Sequence, residues 1–144
     1  MNIEVKRMTI EDYYKIENIL TNEFDSFWSP NLLREELNSN NSIYFVAISN
    51  NEIVGFAGIK VIIDSADIMN IVTKKSYRKN GIGSILLENL ITYSRSSGVK
   101  DLFLEVNENN IPAINLYSKY NFSNIGIRKN YYDCDSCINM KLSL

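Results

Sequence analysis

The chain has 144 residues, 45% of them hydrophobic and 11% aromatic, with a formal net charge of −2. That is the length and composition of one globular domain, not of a disordered chain or of a polycation that coats nucleic acid. There is no histidine, which excludes a Ser-His-Asp triad, a Cys-His pair and a His-ligated metal; any general base must be a carboxylate, a tyrosine, a lysine or a water they hold.

In chain order, Asn2 to Met8 alternates as a first strand does. Thr9 reads as an N-cap with Glu11 and Asp12 in the first turn, and the spacing of Ile10, Tyr13, Ile16 and Leu20 predicts a helix over 9–24. Phe24, Phe27 and Trp28 form an aromatic cluster before Ser29-Pro30, a cap and first-turn proline that start a second helix through Leu32, Leu33 and Leu37. Ile43 to Ser49 and Glu52 to Ile63 read as a hairpin turned at Asn50-Asn51, and Ala66 to Thr73 as the next strand.

The stretch from Asn70 to Leu90 then passes from that strand through a basic turn (Lys74, Lys75, Arg78, Lys79) and Gly81-Ile82-Gly83 into a helix ending near Ser97. Glycines allow a tight turn and close approach of a ligand, and the free N–H groups of a helix start attract an anion. Physically this is a cradle of pyrophosphate size, open to several phosphate ligands; R-x-x-G-x-G is shorter than a dinucleotide fingerprint and is not a nucleotide P-loop.

Leu102 to Val106 reads as a buried parallel strand interrupted by one acidic residue, Glu105. Asn107 to Asn110 is a loop, Pro112 begins a helix carrying Ala113, Leu116, Tyr117 and Tyr120, and Asn121 is suited to the left-handed residue that ends it. Phe122 to Arg128 and Cys137 to Leu142 would be the last two strands. The pair Cys134 and Cys137 has neither the helix start of a redox C-x-x-C nor further metal ligands, so two reduced thiols are expected. The N-terminus lacks the apolar core of a signal peptide and no long apolar run is present, so a cytoplasmic protein without a membrane span is expected.

The order of three antiparallel strands, strand–R-x-x-G-x-G–helix (Arg78, Lys79, Asn80, Gly81, Ile82, Gly83), strand, and an N-x-x-A-x-x-L-Y helix from Asn110 to Tyr117 resembles the GNAT superfamily of acyl-CoA N-acyltransferases. The resemblance covers essentially the whole chain. Within it, Leu104-Glu105-Val106, the Asn110–Tyr117 motif, the segment Ile125 to Tyr132 and the Phe24–Ser29 stretch are similar to the ribosomal-protein alanine N-acetyltransferases (RimI type). The resemblance implies a single mixed α/β (α+β) domain over 1–144, with a mostly antiparallel sheet of about seven strands, about four helices and a splay between strands 4 and 5. It implies acetyl-CoA as cosubstrate and no metal: the pyrophosphate on the Lys79 to Ser84 amides beside Arg78, the pantetheine along Ile71, Val72 and Thr73, and Asn110 on the cofactor. It further implies Glu105 as proton acceptor and Tyr117 as proton donor, with Trp28, Arg128, Asn130, Tyr131 and Tyr132 shaping the acceptor groove. The acceptor would be the N-terminal α-amine of a ribosomal or other protein, possibly of the small subunit, with a small-molecule amine (polyamine, amino acid or antibiotic) as the alternative, and with no direct nucleic-acid or membrane partner. A non-catalytic acyl-CoA-binding module is the alternative of another class, against which the presence of both Glu105 and Tyr117 argues.

The chemistry agrees with these residues. An α-amine has a pKa of about 7.7–8.0, so it needs a base to attack as the neutral nucleophile. A carboxylate in an apolar strand is expected to have its pKa raised toward that task by desolvation. No cysteine stands where a covalent acyl-enzyme would need it, which favours direct transfer.

Overall fold

The computed structural model describes residues 2–25, 29–126 and 136–144. It is built on a seven-stranded sheet in the order β1-β2-β3-β4-β5-β7-β6. The strands are β1 (Glu4–Arg7), β2 (Ser42–Ser49), β3 (Glu52–Ile62), β4 (Ser65–Thr73), β5 (Asp101–Asn107), β6 (Ser123–Gly126) and β7 (Cys137–Ser143). All neighbours are antiparallel except β4 and β5. The helices are α1 (Ile10–Ile16), the short α2 (Leu20–Glu23), α3 (Pro30–Leu37), α4 (Ile82–Ser96) and α5 (Ile111–Lys119). This is the mixed sheet that the sequence implied.

Two apolar layers cover the sheet. On one face Met8, Tyr13, Ile16, Leu20, Phe24 and Leu33 from the first three helices and their flanks close over Tyr44, Val46, Phe56 and Val72. On the other, Ile82, Leu86, Leu87 and Leu90 of α4 lie on Ala57, Ile59, Leu102, Leu104 and Met140, with α5 at the rim. Strand alternation sends successive side chains to opposite layers.

The caps read from the sequence are present: Thr9 and Asp12 form a reciprocal capping box, and Ser29 accepts from Leu32 N–H ahead of Pro30. Asn50 and Asn51 take φ of 50° and 64°, the twist a two-residue hairpin turn requires. Asn121 takes φ of 73° and ends α5.

Two boundaries differ from expectation. The helix expected over 9–24 breaks after Ile16 into α1 and α2. The end of α2 is held to β4 by the Phe24–Lys74 bridge and by Asp25 N–H on the Thr73 carbonyl at 3.0 Å, a tether that α1 continued straight would not reach. Strand β3 stops at Ile62 because Ile63 turns to φ of 59°. Cys137 is disulfide-bonded, which departs from the expectation of two reduced thiols; Cys134 lies outside the described residues. The aromatic cluster retains only Phe24 among the described residues, packed 6.0 Å from Phe56.

Candidate active site

The site starts from a defect in the sheet. Parallel pairing of β4 with β5 ends at Asp67 opposite Phe103. Just beyond, Gly58 pairs with Asn70 but Ile59 pairs with Ile68, so Met69 is an extra residue in β4. A bulge bends the strand that carries it, and here it lies where β4 leaves β5. Past the separation, β4 and β5 flank a cavity of about 260 Å³. Asn70, Ile71 and Val72 line it from β4, Glu105 from β5, and Asn110, Ala113 and Tyr117 from α5 and its cap.

Glu105 sits in β5 between Leu104 and Val106, both buried in the layer under α4. Alternation therefore directs the carboxylate to the opposite face, the one that carries Tyr44 and Asn70. Tyr117 approaches from the α4 side: its ring lies 5.8 Å from Phe122, edge to face. Burial pushes its phenol up to about 12, so the hydroxyl keeps its proton throughout the neutral range. Asn110 caps α5, its Oδ1 accepting from Ala113 N–H at 3.3 Å. The cap fixes the start of the helix that carries Tyr117 seven positions on.

The anion cradle forms at the start of α4. Lys79 and Gly81 both take left-handed backbone, φ of 66° and 77°, and Asn80 holds the turn by donating to the carbonyls of Tyr77 and Arg78 at 3.1 and 3.2 Å. Gly81 supplies no side-chain cap, and the first bond closed inside the helix is Ile85 N–H to Gly81 carbonyl at 3.1 Å. The amides of Ile82, Gly83 and Ser84 thus precede any intrahelical acceptor, at the positive end of a 15-residue helix. A Cβ placed on Gly83 would lie 3.8 Å from Leu116 and 4.0 Å from Ile71. The cradle therefore opens directly between β4 and α5, at the head of the cavity. These residues fit a pyrophosphate followed by an extended chain along the free edge of β4.

The basic turn divides in two. Lys74 is buried and bonds Glu52, with Glu23 at 3.4 Å. The bond to Glu52 raises the lysine's pKa and lowers that of the glutamate. Arg78 binds Oδ1 of Asp25 through Nε at 2.7 Å and also through Nη2. Lys74, counted among the flanking cations from the sequence, instead joins β3, β4 and α2. Lys75 and Lys79 are exposed and, among the described residues, not committed to a carboxylate.

The structure thus brings Ile71, Val72, Glu105, Asn110 and Tyr117 to one cavity, with Lys79, Asn80, Gly81, Ile82, Gly83 and Ser84 at its head. Thr73 lies beyond the cavity, its carbonyl taken by Asp25. Trp28, Arg128, Asn130, Tyr131 and Tyr132 lie outside the described residues. Asn70 was not singled out from the sequence. It is 8% exposed, lines the cavity and donates from Nδ2 to the Tyr44 hydroxyl at 3.0 Å. Its signal was the same as that of Glu105: a polar residue in an apolar run.

Comparison with known proteins places this geometry among relatives. The profile of the acetyltransferase (GNAT) family matches residues 13–122. A Bacillus subtilis (strain 168) protein provisionally named as a ribosomal protein bS18-alanine N-acetyltransferase is 33% identical over 129 residues, 89% of this chain and 85% of the relative. The Haemophilus influenzae ribosomal protein bS18-alanine N-acetyltransferase is 44% identical over 85 residues, a match spanning 59% of this chain and 58% of that protein. Among solved structures, the ribosomal-protein-S18-alanine N-acetyltransferase of Escherichia coli superposes with a TM-score of 0.86 at 28% identity, covering 99% of this chain and 94% of the other.

Proposed function

The chain belongs to the acetyltransferase (GNAT) family of acetyl-CoA-dependent enzymes, and from that premise we propose that it acetylates the N-terminal α-amine of a protein, with an alanine-initiated ribosomal protein bS18 as the leading acceptor. The observation that carries the reading is the position of Glu105 in the cavity at the β4–β5 separation, with Tyr117 on its far wall and the α4 cradle at its head. The names of the relatives supply the acceptor class. An acceptor made on the ribosome would place the reaction in the cytoplasm.

In this reading the amides of Ile82, Gly83 and Ser84 hold the pyrophosphate, with Lys79 beside them, and Ile71 and Val72 present their free backbone edge to the pantetheine. The thioester then lies within the cavity between Glu105 and Tyr117. Glu105 takes a proton from the α-amine as nitrogen attacks the acetyl carbonyl. The carbon–sulfur bond breaks as the tetrahedral intermediate collapses, and sulfur leaves with the electron pair. Tyr117, protonated at neutral pH, donates to that sulfur as its negative charge develops. Arg78 holds the turn through Asp25, and contact with the acceptor is assigned, from the sequence resemblance alone, to Trp28, Arg128, Asn130, Tyr131 and Tyr132, which lie outside the described residues. Cys137 is tied in a disulfide and offers no thiolate for an acyl-enzyme.

The test is acetyl transfer from labelled acetyl-CoA to a peptide with the bS18 N-terminus, beside a panel of polyamines, amino acids and aminoglycosides. Label on the peptide α-amine is expected. Label on small amines alone would reject the acceptor assignment, and binding of acetyl-CoA with no transfer to any amine would reject the catalytic one.

A further inference from the structure

Asn139 is a buried polar residue of β7 that the reaction outlined above leaves unused. It is 4% exposed, and its Nδ2 has no hydrogen-bond partner among the described residues. A buried amide donor left unpaired costs about 1–3 kcal/mol, so it calls for an explanation. The register supplies one. Asn139 pairs directly across the sheet with Glu105. Residues opposite one another in an antiparallel pair share a face, with Cβ atoms about 4.5–5.5 Å apart. On its other side Asn139 faces Gly126 of β6, which has no side chain to offer. Among the described residues, Glu105 is therefore the lateral side chain within its reach. Asn139 does not line the cavity and Glu105 does, so any effect of Asn139 on the reaction passes through Glu105.

We propose that Asn139 is the positioning residue of the catalytic carboxylate: its Nδ2 donates to Glu105 across β5 and β7 when Glu105 is ionised, holding the charged base toward the cavity. The inference rests on the assignment of Glu105 as the base. A donor to the ionised form favours that form. Among the described residues, the other polar groups near this face include Asn70, which lines the cavity and donates to the Tyr44 hydroxyl at 3.0 Å. Lys141 pairs with Asp101 at 3.7 Å, Asn107 accepts from Asn109 N–H at 2.8 Å, and Cys137 is disulfide-bonded. Asp67 stands on β4 opposite Phe103, and Tyr117 faces the cavity from α5.

The test is direct titration of the Glu105 side-chain carboxyl by carbon-13 NMR in the wild-type chain, in Asn139→Leu and in Asn139→Asp, without acceptor. Loss of the donor in Asn139→Leu is expected to move the titration upward by about one pH unit. Asn139→Asp, of the same size but carrying a second carboxylate, moves it further. The acid limb of kcat moves by the same amount on whichever amine is accepted, and adding Asn139→Leu to Glu105→Gln lowers the rate no further. If the Asn139→Leu chain does not fold, Asn139→Asp gives the reading alone. An unchanged Glu105 titration in the folded variants, or an equal loss of rate in the Glu105→Gln background, would overturn the inference. The carboxyl titration needs no acceptor, so its outcome stands apart from whether the bS18 peptide is acetylated.

Discussion

Asn70 donates from Nδ2 to the hydroxyl of Tyr44 at 3.0 Å, across a strand that contributes only the backbone of Gly58 between them. A Cβ at Gly58 would lie 2.3 Å from the Tyr44 ring. The ring rests on the glycine, and this lets its hydroxyl reach the β4 wall of the cavity. Gly58→Ala is therefore expected to displace the ring and destabilise the chain by about 1–3 kcal/mol, the usual cost of overpacking. Tyr44→Phe keeps the packing but leaves a buried amide donor unpaired, at about 1–3 kcal/mol. Urea unfolding of both variants checks the pair. A Gly58→Ala chain as stable as wild type would show that the ring does not depend on the missing side chain.

At the cradle, Gly81 and Gly83 are expected to fail differently. Nothing lies within 4 Å of a Cβ at Gly81, but its φ is 77°, so a β-branched residue is opposed by backbone conformation alone. Gly81→Val should distort the turn and abolish acetyl-CoA binding in calorimetry, whereas Gly81→Asn, which tolerates left-handed backbone, should keep most of it. At Gly83 a methyl meets only ordinary contacts inside the fold. Gly83→Ala should leave the Tm near wild type and weaken acetyl-CoA by standing where the phosphate approaches. Undiminished affinity in Gly81→Val would remove the cradle from the α4 start.

Glu105→Gln is expected to lower kcat by about 10²–10⁴-fold, the range for loss of a general base, with acetyl-CoA affinity nearly unchanged. The loss should be steepest near neutral pH, where the α-amine is partly protonated, and shrink as pH rises. A Glu105→Gln profile parallel to wild type would dismiss Glu105 as the base.

Tyr117 sets an alkaline prediction with a definite sign. Its folded pKa, about 12, lies above the ordinary 10.0. The fold thus favours the neutral phenol, and this contribution is complete below pH 10. Between pH 10 and about 12 the unfolded chain ionises first and the contribution is lost, up to about 2–3 kcal/mol. Tyr117→Phe should flatten that part of the alkaline unfolding curve and lower kcat at every pH. A fall in wild-type kcat between pH 8 and about 9.5 that disappears in Tyr117→Phe would contradict a phenol that still holds its proton there.

The Lys74–Glu52 pair should be felt as stability at both pH extremes. Glu52 is held below its ordinary value by the bond from Lys74, so its share is present above the free carboxylate range and lost as pH falls through the lowered value. Lys74 is held above 10.5, so its share is lost as pH rises past that point. Lys74→Met should cost about 1–3 kcal/mol and loosen the junction of β3, β4 and α2, measured as Tm at neutral pH. An unchanged Tm would assign Lys74 to the phosphate field after all.

Much of this protein is set by local rules that operate on the chain alone. Alternation predicts the strands, Thr9, Ser29 and Asn110 cap helices, Asn50-Asn51 turns the hairpin, and Gly81 opens α4. Glu105 stands out because a charge inside an apolar strand is expensive wherever that strand goes. Local rules also marked Arg78 and Lys74 as equal cations in one basic turn, and there they reach their limit. Only the tertiary structure turns Lys74 inward onto Glu52, ties Arg78 to Asp25, and divides the helix expected over 9–24 so that Phe24 and Asp25 can reach β4. The bulge at Met69, the separation of β4 from β5 and the placing of Asn139 opposite Glu105 are matters of register between strands distant in sequence. Pairing energy decides register after the strands exist, and no residue's own propensity encodes its partner.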